Sequence, residues 1–183
     1  MTKVEILRHP TDEDWERCKQ LAMITIGKRW SGEVPQDWKE RILRSPHSPK
    51  RTLMFTILMD ELPYWVSVHF VRHKFGVEHY VSSQRNDRQS KYDRTKAPQD
   101  APVMHAMDIN AEELIRMAHM RLCGQASDET REAMQAVCRA VIEVNPEFEP
   151  FLVPKCMVVP RTFYCDEFKP CGDARRYLPT NEV

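Results

Sequence analysis

Three short stretches of this sequence hold side chains whose types and spacing suit an anionic ligand. The first is Pro63-Tyr64-Trp65-Val66-Ser67-Val68-His69-Phe70-Val71-Arg72-His73-Lys74. On a helix, His69, Arg72 and His73 share one face, three and four residues apart. Burying such groups among apolar neighbours is costly unless each meets an anion or a hydrogen-bond partner. Two explanations fit: cationic groups complementing the C-terminal end of a helix dipole, or contacts to a phosphate-bearing ligand. The second stretch is Ser82-Ser83-Gln84-Arg85. A guanidinium fork donates two parallel hydrogen bonds to phosphate, and hydroxyls with backbone N–H groups complete the cradle. The third is Arg121, which shares a helix face with Leu114, Met117 and Ala118 and therefore points inward. There it needs a ligand, or a carboxylate such as Glu129.

The elements that must hold these residues can be read from periodicity and caps. Residues 3–8 suit a short strand. Thr11 caps a helix through about Gly27, with Trp15, Cys18, Leu21 and Ala22 at helical spacing. Pro35, at a first helical position, opens a short helix that stops near Ser45-Pro46. Alternation then takes over, with Leu53, Phe55, Ile57 and Met59 marking residues 51–59 as a buried strand. Pro63 starts a helix over 63–74, an extended segment follows at 77–84, and 86–106 reads as a polar, Pro-containing loop. Asn110 caps a helix over 111–122. Ser127 caps a longer one over 128–144, whose Met134, Val137, Cys138, Val141 and Ile142 form an apolar stripe. The tail from about 153 is rich in Pro and Cys. The class is α+β, helices packed on a small sheet, in one domain spanning 1–183.

Charge balances at 27 basic against 27 acidic residues, so neither a nucleic-acid nor a membrane field is expected. Locally, Arg85, Arg88, Lys91, Arg94 and Lys96 face only Asp87 and Asp93, which suits either a solvated loop or one that faces an anion. No apolar run approaches the roughly 18 residues of a bilayer span, and the first residues lack a signal peptide's apolar stretch, so a cytoplasmic protein is expected. Its six cysteines are then reduced. Cys18 and Cys138 fall on apolar helix faces. Cys123, Cys156, Cys165 and Cys171 are either unrelated thiols, ligands of zinc or an iron–sulfur cluster, or a regulatory disulfide. Their spacings match no short ligand motif.

Arg72-His73-Lys74, seven residues, then Ser82 with Ser83-Gln84-Arg85 resembles the signature of flavin-dependent thymidylate synthases, which is Arg-His-Arg, seven residues, Ser-x-Arg. Upstream, His47-Ser48-Pro49-Lys50-Arg51 leading into Phe55-Thr56 resembles that family's His-Glu-Thr-Pro segment and its Phe-Thr strand. Leu62-Pro63-Tyr64 stands where the family starts its signature helix with Ala-Pro. Downstream, Asn110-Ala111, Leu114, Arg121, Ala126 and Glu129 match Asn-Ala-Arg-x-Leu … Leu-Arg … Ala-Gln-x-Glu without a gap. The resemblance covers about residues 45–145. It implies a small antiparallel sheet packed with helices, and an enzyme that methylates dUMP at C5. The methylene comes from methylenetetrahydrofolate, through reduced FAD, with NADPH as reductant and sites built between subunits of a homotetramer. It further implies flavin contacts for Arg72, His73 and Lys74, a substrate-side place for His69, phosphate contacts for Ser82, Ser83 and Arg85, and a base-polarising role for Arg121. Asn110 is either a flavin contact or an ordinary N-cap, and Ser48 and Arg51 are either flavin contacts or a turn before a strand.

Four departures bear on the substrate pocket. Lys74 replaces an arginine, turning a fork into a point charge. Arg85 sits one place late if Ser82 is the signature serine. His79 and Tyr80 stand where the family has an acid before its serine, with Glu78 the nearest carboxylate. Only some two dozen residues separate the signature from Asn110. The family's Ala-Arg-x-x-Leu-Pro phosphate motif is missing from that interval, although Ala174-Arg175-Arg176-Tyr177-Leu178-Pro179 occurs near the C-terminus. Two rival functions follow: flavin-dependent modification of another pyrimidine, such as hydroxymethylation, or a nucleotide-binding homologue without turnover.

Overall fold

The computed structural model describes residues 2–88, 93, 95–158, 165 and 167–172. Among these residues, four antiparallel strands form one sheet in the order β1-β2-β4-β3: β1 Lys3–Arg8, β2 Met54–Pro63, β3 Val77–Val81 and β4 Pro102–Asn110. Among the described residues, five α-helices accompany them: α1 Asp12–Ile24, α2 Gln36–Arg44, α3 Tyr64–Phe70, α4 Ala111–Arg121 and α5 Asp128–Val144. The α+β class and the small antiparallel sheet are as expected.

Alternation decides which side of the sheet is covered. Phe55, Ile57 and Met59 of β2 stand opposite Ile109, Met107 and His105 of β4, and all six are fully buried. The same face continues through Val4 and Ile6 on one flank and Val77, His79 and Val81 on the other. Met54, Thr56, Leu58, Ala106 and Asp108 turn to the opposite, more open side. The α5 stripe closes on the inner face as its period predicts: Met134, Val137, Cys138 and Val141 are all buried. Phe148, in the short 3-10 turn after α5, meets Phe55 edge-on at 5.1 Å between ring centroids and Trp15 at 6.2 Å. This aromatic trio ties α1 and the chain beyond α5 to the sheet.

Several expectations change. The largest concerns 86–106, read as loop: its last five residues belong to β4, which runs on to Asn110 and is an inner strand of the sheet. Val103, His105, Met107 and Ile109 alternate inward, but the polar His105 and Asp108 disguise the pattern. Pro102 is tolerated because it is the strand's first residue. Helix α3 ends at Phe70 rather than Lys74. His73 N–H turns back to the Phe70 carbonyl at 3.0 Å, so Arg72 and His73 lie in a turn just past the helix. Helix α1 stops at Ile24, before Gly27. Pro35 and Pro63 sit at N-cap positions with extended backbone, not at the first helical residue. Ser127 caps no backbone N–H; its hydroxyl donates to Thr130 Oγ1 instead, at 2.9 Å. Thr11 and Asn110 do cap their helices.

Among the described residues, no helix is long and apolar enough to cross a membrane. Lys91, Arg94 and the 174–179 string lie outside the described residues.

Candidate functional site

Two helix ends and two strand ends meet around His73. Helix α3 delivers His69 in its last turn and His73 just beyond. Helix α4 delivers Glu113 from its first turn and Arg121 from its last. Arg121 is half-buried and spans the gap between the two helices. Its Nε–H donates to His73 Nε2 at 3.0 Å and one Nη2–H to the His69 carbonyl at 2.8 Å. Nη1 has no partner among the described residues, and no carboxylate reaches the guanidinium. Glu129 is exposed and lies instead along a second groove of about 460 Å³ with Glu61, Glu132 and Arg139, so it is not the partner of Arg121.

Charge around Arg121 is cationic. Burial, then the neighbouring charges of Arg72 and Arg116, all disfavour its protonated form, yet a guanidinium keeps its proton regardless. The His69 imidazole is likewise held below its ordinary value by burial, then by Arg121 and Arg72. It accepts a hydrogen bond at Nδ1 from the Thr130 hydroxyl, at 3.2 Å, and packs edge-on against Trp65. Arg72 and Lys74 are exposed, and neither has a hydrogen-bond or ion-pair partner among the described residues. Arg72, His73 and Arg121 thus come together as expected. His73 differs in one respect: it is only 2% exposed and both ring nitrogens are engaged, Nδ1 with Glu113 Oε1 at 2.8 Å. It offers no free donor or acceptor to a ligand in this structure.

Beside this network opens a groove of about 650 Å³ lined by Arg51, Phe75, Gly76, Asn110, Glu112, Glu113 and Arg116. Gly76 adopts φ +77°, and a Cβ there would fall inside van der Waals contact of the Asn110 amide. The close approach lets Asn110 N–H donate to the Gly76 carbonyl at 2.8 Å, while the Asn110 side chain caps α4 by accepting from Glu113 N–H at 2.9 Å. The N-cap reading of Asn110 therefore holds, and its place in the groove leaves ligand contact compatible with it. Arg51 reaches the same rim and pairs through Nε with Glu112. In the Asn-Ala-Arg pattern of the resemblance, the third residue is here the acid Glu112, and Arg51 compensates the reversed charge. Ser48 is exposed, in the 3-10 helix Ser48–Thr52 that precedes β2. Lys50 in that turn is buried and spent on structure: its ammonium donates to the Ser45 carbonyl at 2.6 Å.

Ser82, Ser83 and Arg85 fall elsewhere. They follow the C-terminal end of β3, whereas His73 and Gly76 precede its N-terminal end. Five strand residues at about 3.3 Å each separate the two groups by on the order of 15 Å. Ser82 is used in extending the ladder, exchanging hydrogen bonds with Met104. Ser83 Oγ accepts from Arg85 N–H at 3.3 Å. Arg85 forms a forked, exposed pair with Asp87, Nε to Oδ1 at 2.9 Å and Nη2 to Oδ2 at 2.6 Å. Within one chain, then, Arg85 does not join Arg121.

Sequence reasoning missed four participants. Glu113 and Arg116 were legible as an acid and a base three residues apart on a helix, and they pair bidentately at 2.6 Å through both nitrogens. Phe75, 81% exposed at the groove, carries no periodic signal. The fourth, His105, lay in the stretch read as loop. It donates from Nε2 to His79 Nδ1 at 2.9 Å, and His79 Nε2–H in turn donates to the His73 carbonyl at 2.9 Å. A carbonyl only accepts, which fixes the direction of the chain and leaves His105 Nδ1 as a bare, unpartnered lone pair. Burial first, and then the His79 charge, push the His105 imidazole down to about 4.

Cys18, Cys123, Cys138, Cys165 and Cys171 are free thiols. Cys18 and Cys138 are buried in the core, as expected. Burial raises the Cys123 thiol, and Cys171 and Cys165 are near enough to add to the effect. Even so, no three His, Cys, Asp or Glu side chains among the described residues could hold a metal ion.

No protein-family model matches the chain, and no curated protein matches it either. Solved structures do. A crystal structure of thymidylate synthase X (ThyX) from Helicobacter pylori with FAD and dUMP superposes with a TM-score of 0.64 at 14% identity, covering 86% of this chain and 99% of that one. A second structure of the flavin-dependent thymidylate synthase ThyX from Helicobacter pylori, also complexed with FAD and dUMP, gives a TM-score of 0.63 at 16% identity, covering 81% of this chain and 99% of that one. The chain shares their fold.

Proposed function

We propose that this protein binds a flavin and a pyrimidine nucleotide, and acts as a flavin-dependent thymidylate synthase-like enzyme that methylates dUMP at C5. The observation that carries the reading is Arg121. A half-buried guanidinium beside Arg72, with one nitrogen unused and no carboxylate within reach, suits an electron-rich or anionic ligand group. The shared fold supports it, since both ThyX structures hold FAD and dUMP.

The residues fit a flavin nucleotide. The groove beside Gly76 and Asn110 has an aromatic side chain at its rim and arginines already neutralised by Glu112 and Glu113, which suits a planar, weakly charged ring. The unpaired Lys74, one residue before Phe75 of that rim, and Arg72, whose charge acts on Arg121 and His69, suit phosphate. Bound there, reduced FAD would relay the methylene of methylenetetrahydrofolate, with NADPH supplying the electrons. The protein's part is to bind and to polarise. Arg121 directs its free Nη1–H at a pyrimidine carbonyl, stabilising the negative charge that develops as C5 becomes nucleophilic. Ser48, Arg51, Asn110, Arg72 and Lys74 hold the cofactor, His69 stands on the substrate side, and His73 orients Arg121 rather than touching the flavin.

Arg85, Ser82 and Ser83 reach a nucleotide phosphate only if a second copy brings its own β3 end to this site, so a homo-oligomer, a tetramer by resemblance, belongs to the proposal. The test is direct. Protein offered FAD should retain it through gel filtration, and then release tritium from 5-tritiated dUMP when given folate and reductant. Release from dCMP but not dUMP would move the substrate to another pyrimidine. Protein that stays colourless after FAD is offered would mark a homologue without turnover.

A further inference from the structure

Resting on the nucleotide reading of Arg121, we propose that Glu113 is a positioning residue for that arginine, acting through the tautomer of His73. An arginine nitrogen has no lone pair to offer, so His73 Nε2, which receives the Arg121 Nε–H, must be unprotonated. The ring proton therefore sits on Nδ1, directed at Glu113 Oε1 2.8 Å away. The contact is a hydrogen bond from neutral imidazole to carboxylate, and the partner of one ring nitrogen decides the state of the other.

Glu113 is equipped for the task. Its side chain is 4% exposed, and a buried carboxylate is tolerated only when paired. Arg116 donates to both of its oxygens at 2.6 Å, sharing Oε1 with His73, and Asn110 fixes the backbone that carries it. Burial raises the Glu113 carboxyl, but the hydrogen bonds from His73 and Arg116 outweigh burial and hold it below its ordinary value. It stays an acceptor. Without it, the proton of His73 is free to move to Nε2, where it would oppose the Arg121 Nε–H. Arg121 would then keep only the His69 carbonyl, one bond in place of two, and its plane would no longer be set.

Two measurements on the full chain test this. Long-range 1H–15N spectra of the ligand-free protein, with His73 assigned by His73→Gln, should show His73 as the Nδ1–H tautomer, and Glu113→Ala should shift it toward Nε2–H. Glu113→Gln retains an acceptor oxygen and should restore the wild-type signature. In dUMP titrations, Glu113→Ala and His73→Gln should each weaken binding about tenfold, and the double variant should be no weaker than either alone. An Nε2–H or doubly protonated ring in the wild type, additive losses, or an unchanged tautomer in Glu113→Ala would each overturn the assignment. The wild-type spectrum decides even if a variant fails to fold. A protein that shows the Nδ1–H tautomer yet ignores dUMP counts against the nucleotide reading alone.

Discussion

Arg121 and Arg85 are the same residue type proposed for the same ligand, and the structure treats them in opposite ways. Arg121 is half-buried, and its partners lie 48 and 52 residues away in the chain. Arg85 is exposed and satisfies itself on Asp87, two residues on. The first arrangement is imposed by the fold: it needs β3, β4, α3 and α4 in place before the guanidinium has a direction. The second forms from local chain alone. Preorganisation of a charged donor is what distinguishes a catalytic group from a solvated one, so the inner end of β3 and not its outer end is where chemistry should fail first when disturbed.

The largest effect should come from Arg121→Ala. Turnover of dUMP, followed by tritium release, is expected to drop by at least about a hundredfold, the cost of losing one charge-stabilising donor. Bound flavin absorbance should stay unchanged, because the groove lies on the other side of His73. Full activity in that variant would transfer the catalytic role elsewhere.

Acid should act next, through the buried His105, which is linked by way of His79 to the His73 carbonyl. The folded-state value of His105 is about 4 against an ordinary 6.5. Between those limits the unfolded chain takes up a proton that the folded chain refuses, so stability is present above pH 6.5 and is lost as pH falls toward 4. The loss from His105 is on the order of 3 kcal/mol. His69, His79 and His119 are displaced in the same direction, each with burial as the first cause, and add to it. Urea unfolding measured across pH 4 to 7 should show the slope, and His105→Gln should flatten it. A slope equal in both proteins would place the acid sensitivity outside this pair. A smaller change is expected from Gly76→Ala. A residue with φ +77° whose Cβ would meet the Asn110 amide should lose roughly 1–3 kcal/mol in the same assay. The groove would be reshaped with it, and flavin retention should fall.

The contrast also explains what could be read in advance. The stripe of α5, the alternation of β2 and the caps Thr11 and Asn110 are local patterns with local causes, and each appears where periodicity puts it, although β2 runs Met54–Pro63 rather than 51–59 because Ser48–Thr52 forms a 3-10 helix. The meeting of Arg72, His73 and Arg121 was legible only because a motif resemblance tied distant segments together. Strand β4 was not legible. Its inward row contains His105, whose burial is made tolerable by His79 on a neighbouring strand, a partner no single stretch of sequence reveals. For the same reason nothing in the spacing of Glu113 and Arg116 marks them for the site, because His73 arrives from 40 residues upstream. Position along β3, rather than residue type, separates Arg85 from the rest.

The smallest expected effect is the most discriminating between the two ends. Arg85 and Asp87 are each 59% exposed, and an exposed pair contributes little. Arg85→Ala should therefore shift unfolding free energy by less than about 0.5 kcal/mol. If Arg85 serves only its own loop, dUMP affinity should also be untouched. If a second copy delivers it to the site, affinity should fall while the melting temperature holds. That loss should be absent from Arg72→Ala/Arg85→Ala relative to Arg72→Ala only if both arginines grip one phosphate as a unit. A mixed oligomer of Arg85→Ala and Arg121→Ala chains sharpens the matter further. Should sites be shared between copies, some sites in the mixture carry neither substitution, and activity should reappear where each variant alone shows little. Should every site be built from one chain, mixing restores nothing.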